Sequence, residues 1–253
     1  MKAVVFLLII LCSSSTVLPQ HVVETLPGLP DKLPNKLETG YIGVGENEEV
    51  QLFYFFFESE SNPEEDPFIL WLTGGPGCSG LSTILMEMGT FVLDYENCKG
   101  GPTALKLNEY AWAKAANILF IDQPAGTGYS YAKSLESFLT NDTLSARQTY
   151  DFLRKWLIDH PKYLENSLYI FGESYAGIVL PLVVNEVYNG IEAGDKPMLN
   201  MKADNFRLAH IWANDKSAQN ALNVREGGGH TNPEYRPKES FVMFDRWIRQ
   251  SAL

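Results

Sequence analysis

The sequence predicts an α/β fold with a mostly parallel sheet, and three observations carry that prediction. Phe68-Ile69-Leu70-Trp71-Leu72 and Asn117-Ile118-Leu119-Phe120-Ile121 are short continuous apolar runs, each followed by loop residues. Unbroken runs of this length suit strands buried on both faces. Between residues 143 and 159, Leu144, Phe152, Leu153, Trp156 and Leu157 recur at near-helical spacing, and Pro161 ends the segment. Residues 168–177 then read as a strand driven into a serine-bearing turn and on into a helix. Strands alternating with helices place the chain in the α/β class, and 253 residues suit one such domain.

Lys2, the apolar run 3–11 and the small residues 12–16 have the three regions of a secretory signal, so residues 1–20 are expected to be removed. That run is too short to span a bilayer, and no longer one follows. Residues 21–253 form the expected single domain. Segments 38–44 and 50–58, separated by Gly45-Glu46-Asn47-Glu48-Glu49, predict an antiparallel hairpin. Pro63 to Pro67 break the pattern before the first apolar run, whose end at Thr73-Gly74-Gly75-Pro76-Gly77 predicts a glycine-rich loop. An apolar helix is expected from Ile178 to about Tyr188. After it the alternation fails: only 206–212 looks like a strand, followed by a short helix at 215–224 capped by Asn214. A tight loop at 227–231 precedes a final helix over about 237–250, with Phe241, Phe244, Trp247 and Ile248 on its core face.

The chain carries 20 basic and 31 acidic side chains, a formal charge of −11, and loses one more positive charge with Lys2. Nucleic acid and anionic membranes are therefore poor partners. Cys12 leaves with the signal, and the two remaining cysteines, Cys78 and Cys98, suggest one disulfide in a secreted protein. Asn141-Asp142-Thr143 is an N-glycosylation sequon.

The chemistry centres on Gly172-Glu173-Ser174-Tyr175-Ala176-Gly177. A sharp strand-to-helix turn needs small flanking residues and lifts a serine oxygen out of the sheet. The strict G-x-S-x-G pattern would have glycine at 176, where this chain has alanine and places glycine one position later. The alternative reading of Ser174 is an ordinary cap of the following helix. A serine hydroxyl needs a base, usually histidine. His21 lies at the mature terminus, His160 reads as a solvent-exposed helix cap, and His210 sits in the strand-like run. His230, after three glycines and before the last helix, stands where the histidine of a serine-first hydrolase belongs. The glycine-rich loop and the amide of Tyr175 can supply donors to an oxyanion. Nothing in the sequence calls for a metal or cofactor.

Trp71 to Gly80 (WLTGGPGCSG), the segment 117–131 with Asp122-Gln123-Pro124-Ala125-Gly126-Thr127-Gly128-Tyr129-Ser130-Tyr131, the elbow from Gly172 to Gly177, and Gly228-Gly229-His230-Thr231 together resemble the serine carboxypeptidase-like family, particularly its plant members. The resemblance implies an α/β-hydrolase fold, Ser174 as nucleophile, His230 as general base, and the amides of Gly75 and Tyr175 as oxyanion hole. It also implies that Thr73, Gly74 and Glu173, with Glu87 as a second acid, grip the terminal carboxylate of a peptide. Two close carboxyls cannot both ionise cheaply, so one of them would carry a proton.

Two departures qualify what the resemblance implies. Threonine at 73 replaces the asparagine of typical peptidases and looks like the acyltransferase branch, which moves an acyl group from a sugar ester to an alcohol. No segment matches the one that supplies the family's catalytic aspartate: Glu226 runs directly into the glycine loop, and a second join falls at Lys202-Ala203, near which the usual partner of Cys78 would lie. Asp204 and Asp215 are carboxylates in the region, but neither follows a recognisable sheet strand. The expected fold is thus an α/β-hydrolase incomplete after the nucleophile helix. The expected protein is a secreted or vacuolar serine carboxypeptidase-like hydrolase acting on a peptide or small acyl-ester substrate. The alternatives are a glucose-ester-dependent acyltransferase, and a non-catalytic secreted binding protein or product of splicing or faulty gene prediction.

Overall fold

A computed structural model describes residues 20–98, 103–201 and 237–248. In chain order these form β1 (His21–Val23), β2 (Leu37–Val44), β3 (Val50–Phe57), β4 (Phe68–Leu72), α1 (Gly80–Thr83) continued by a π-helical turn (Ile84–Met88), β5 (Phe91–Leu93), β6 (Leu105–Leu107), β7 (Asn117–Ile121), β8 (Tyr131–Ala132), α2 (Asp142–Asp159), β9 (Leu168–Gly172), α3 (Ala176–Ala193) and α4 (Pro237–Ile248). The main sheet runs β1-β2-β3-β7-β4-β9, with β8 also paired to β3. The strands β7, β4 and β9 are mutually parallel, as expected for the half of the sheet that feeds the glycine loop and the serine turn. The strands β1, β2 and β3 join them antiparallel, through the predicted hairpin.

Both faces of the sheet are covered, which explains the unbroken apolar runs. On β3 the alternating side chains Leu52, Tyr54 and Phe56 enter one core with Trp156 and Phe152 of α2 and Val183 of α3. Phe55 and Phe57 enter the other core with Trp71, Trp112, Phe120 and Phe244. Each fully buried aromatic or branched side chain contributes roughly 1.5–3 kcal/mol. Helix α4 is tied to the second face by Phe244, which stacks on Trp112 at 4.0 Å between ring centroids. Helix α2 starts where Asn141 accepts the Leu144 amide at 2.9 Å. Helix α3 ends at Gly194, whose φ of +76° is a left-handed cap that glycine adopts without strain.

Two expectations are corrected. Cys78 and Cys98 are separate thiols: Cys78 is exposed before α1, while Cys98 sits in the β5–β6 connection, where its sulfur accepts the Ala104 amide at 3.2 Å. His160 ends α2 as a C-cap, but it is buried, at 7% exposure. Its Nδ1 lies 2.7 Å from the Trp156 carbonyl and its Nε2 lies 2.7 Å from Glu38 Oε1. The ring also stacks flat on Trp156. The ring thus bridges the Trp156 carbonyl and the Glu38 carboxylate, so a cap that looked solvent-facing in sequence is a buried cross-link. The expected signal segment, strand 206–212, helix 215–224, the loop bearing His230, and Asp204, His210 and Asp215 lie outside the described residues, apart from Gln20 at the end of the signal. The expected incompleteness after α3 concerns the same region.

Candidate active site

Parallel pairing of β4 with β9 sets Leu72 beside Gly172, so the loops leaving these two strands emerge together. After β9 the backbone turns at Ser174, whose φ is +56°. For a residue with a Cβ this left-handed region costs about 1–2 kcal/mol. The turn is fastened behind the serine, where Ala176 donates its amide to Glu173 O at 2.9 Å and Gly177 donates to Ser174 O at 3.0 Å. The Ser174 side chain is solvent-exposed at the bend.

The small residues of the turn now have separate explanations. A Cβ at Gly172 would stand 2.8 Å from the Ala176 Cβ and 2.8 Å from Leu72 O. Ala176 therefore fits because Gly172 has no side chain, and the close pair does the work expected of two glycines. A Cβ at Gly177 would meet nothing within 4 Å, so the displaced glycine answers no steric need.

The glycine-rich loop lies against this turn. A Cβ at Gly74 would fall 2.7 Å from Glu173 O, 2.8 Å from Ser174 Cβ and 2.9 Å from Tyr175 N. Gly75 follows with φ +116°, and a Cβ there would meet Gly77 and Cys78 amides at 2.9 and 2.8 Å. Tyr175 caps α3, and its phenol donates to the carboxylate of Asp142 at the start of α2 (3.2 and 3.1 Å). That hydrogen bond raises the phenol above its ordinary range.

The polar groups expected to read substrate form a connected chain. Thr73, buried, lies with Oγ1 3.2 Å from Thr83 Oγ1, and Thr83 donates to Glu173 Oε1 at 3.3 Å. Glu87 is buried on the π-helical turn, four residues beyond Thr83. Asn141 is exposed. His230, the expected base, lies outside the described residues.

Sequence reasoning missed Thr83 and the role of Asp122. The Asp122 carboxylate, fully buried, accepts from Ser79 Oγ at 2.7 Å and Gly80 N at 2.8 Å through Oδ1, and from Tyr129 N at 3.0 Å through Oδ2. It therefore staples the segment leading from the glycine loop into α1 to the loop that follows β7. Burial pushes this carboxyl above the usual carboxylate range, against the opposing pull of the same three donors. The Asp-Gln-Pro string marked the position, but nothing in its spacing announced partners 43 residues away.

Known proteins resemble this chain in sequence and in fold. A family model described as serine carboxypeptidase matches residues 27–205. Serine carboxypeptidase-like 15 of Arabidopsis thaliana is 44% identical over 207 residues, covering 80% of this chain and 48% of that protein. Serine carboxypeptidase-like 9 and 17 of the same plant are 46% and 47% identical, covering 78% and 71% of this chain and 45% and 41% of theirs. The chain thus spans less than half the length of these relatives. The crystal structure of Kex1(delta)p, a prohormone-processing carboxypeptidase from Saccharomyces cerevisiae, superposes with a TM-score of 0.56 at 22% identity. It covers 89% of this chain and 50% of the yeast chain, a likeness of fold.

Proposed function

This chain belongs to the serine carboxypeptidase family, and from that premise we propose that it is a serine-type carboxypeptidase-like hydrolase working through an acyl-enzyme on Ser174. The observation that carries the proposal is the positive φ of Ser174 at the bend from β9 into α3, with Gly74 pressed against the serine. Ser174 Oγ attacks the carbonyl of the terminal peptide bond while His230 takes its proton. The negative oxygen is received by the amides of Gly75 and Tyr175, and among the described residues no backbone carbonyl takes up either amide. His230 then protonates the leaving amine, and water releases the acyl group. Thr73, Gly74, Glu173 and Glu87 bind the free end of the substrate. The mature chain, residues 21–253, acts in the secretory pathway or vacuole and carries a glycan at Asn141.

No aspartate is assigned to orient His230. Disrupting that acid costs roughly ten-thousandfold in turnover in a comparable triad, with residual catalysis from the oxyanion hole and binding. Slow turnover is the corresponding expectation. Release of the C-terminal residue from a blocked dipeptide by the purified mature chain, abolished in Ser174→Ala, tests the reading. Absence of release from a cooperatively folded chain contradicts it.

Thr73 favours a second reading, an acyltransferase that passes the acyl group to an alcohol instead of water. Product analysis with a glucose ester and an acceptor alcohol separates the two: transfer product in excess of free acid supports the second.

A further inference from the structure

Among the described residues, the two most exposed large apolar side chains are Leu135 and Leu139, at 87% and 75%. Phe138, at 39%, and Leu144, at 37%, belong to the same stretch, where the chain passes from β8 into α2. A 3-10 turn over Glu136–Phe138 shapes it, with Phe138 N donating to Leu135 O and Leu139 N to Glu136 O. One side of the Phe138 ring is backed by protein, since a Cβ at Gly126 would stand 3.5 Å from its Cδ1. Exposed apolar side chains gathered in one place mark a contact surface.

Asn141 stands inside this surface, three residues from Phe138 and three from Leu144. Among the described residues its side chain bonds protein only through Oδ1, which accepts the Leu144 amide at 2.9 Å. N-glycosylation uses the other atom: Nδ2 loses one hydrogen and bonds C1 of N-acetylglucosamine, while the lipid diphosphate of the sugar donor leaves with the electron pair of the C1–O bond. The cap therefore survives the modification, and it fixes the amide plane from which the sugar projects. Three residues of chain span at most about 11 Å, so Phe138 is within reach of the first sugars. A pyranose carries C–H groups on its faces, and these fit the negative face of an aromatic ring.

We propose that a glycan on Asn141 covers this apolar surface, its first N-acetylglucosamine packing on Phe138, and that the cap bond to Leu144 aims it there. The proposal rests on the glycan assigned to Asn141 above and gives it a partner on the protein. A second copy of the chain is the competing occupant, but it would meet the glycan rooted in the middle of the patch.

The test is a double-mutant cycle on the chain secreted from a host that adds N-glycans: the parent, Phe138→Ala, Thr143→Ala and the double variant. Thr143→Ala removes the sequon and leaves Asn141 with its cap, and the cycle cancels its separate effect on the helix. Intact mass gives the occupancy of Asn141, and urea titration gives the unfolding constants. The glycan is expected to lower the unfolding constant of the parent roughly threefold to tenfold more than that of Phe138→Ala, the range of an aromatic contact. Should Phe138→Ala not unfold cooperatively, Phe138→Leu, which keeps apolar bulk against Gly126 and removes the ring face, replaces it with the same expectation at the lower end. A glycosylated parent with no such coupling overturns the packing while leaving the modification standing. An unmodified Asn141 overturns both, and a parent dimer that dissociates in Leu139→Ser assigns the surface to a second copy and overturns the proposal.

Discussion

Gly74 and Ser174 are packed so closely that a Cβ on the glycine would fall 2.8 Å from the Cβ of the serine. The two residues are one hundred positions apart and meet because β4 and β9 are parallel neighbours whose last residues, Leu72 and Gly172, are in register. Gly74 has to be glycine for this contact, since the other atoms in its way, Glu173 O and Tyr175 N, are backbone. Gly74→Ala is therefore expected to force the two loops apart. Overpacking of this kind costs about 1–3 kcal/mol. A lowered urea midpoint together with at least tenfold slower labelling of Ser174 by a fluorophosphonate is the expected pair of results.

The strain at Ser174 makes a prediction of opposite sign. Its φ of +56° is unfavourable for any side-chain-bearing residue and natural for glycine. Relief of about 1–2 kcal/mol is partly offset by the greater freedom of glycine in the unfolded chain, about 0.4–1 kcal/mol. Ser174→Gly should accordingly be more stable than Ser174→Ala by roughly 0.5–1 kcal/mol, although both lack the serine hydroxyl. Equal denaturation midpoints for the two variants would argue against a strained elbow.

Glu38 links stability to pH. Burial opposes its ionisation, but hydrogen bonds from His160, Lys36 and Tyr54 outweigh that and lower its pKa from 4.5 to about 2. A depressed carboxyl stabilises the fold above its ordinary value and loses that contribution as pH falls through the folded one. Stability should drop by on the order of 3 kcal/mol between about pH 5 and pH 2 from this group. Guanidinium titrations across that range should show a shallower decline in Glu38→Gln, which also starts from lower stability.

Asp122 ties the segment after the glycine-rich loop to the loop after β7 by accepting from Ser79, Gly80 and Tyr129. In Asp122→Asn one oxygen becomes an NH2 group, and whichever way the amide is turned, a donor faces a donor. The expected cost is about 1–3 kcal/mol for the buried group left unmatched. Ser174 labelling should slow as well, because the glycine loop loses its anchor. Loss of stability with labelling unchanged would confine Asp122 to a structural role.

Much of the fold was legible because its signals are local. The apolar runs ending at Leu72 and Ile121 face protein on both sides, the hairpin is marked by its polar turn, and Asn141 announces the start of α2. The elbow was legible in Gly172 and Ser174. The buried state of His160 was not, because its partner Glu38 is 122 residues distant and a histidine before proline looks like an exposed cap. Thr83 and Asp122 were hidden for the same reason: Glu173 is brought to the first, and Ser79 and Gly80 to the second, by sheet topology, which no short window of sequence contains. The failure of Cys78 and Cys98 to pair is likewise spatial, since counting cysteines says nothing of where they lie.

The central claim is that Ser174 is an activated nucleophile, and the most direct measurement is intact and peptide mass spectrometry of the mature chain after treatment with a fluorophosphonate. The account predicts a single adduct on Ser174, absent from Ser174→Ala and sharply reduced in His230→Ala. A cooperatively folded chain that forms no adduct, or forms one elsewhere, would contradict it.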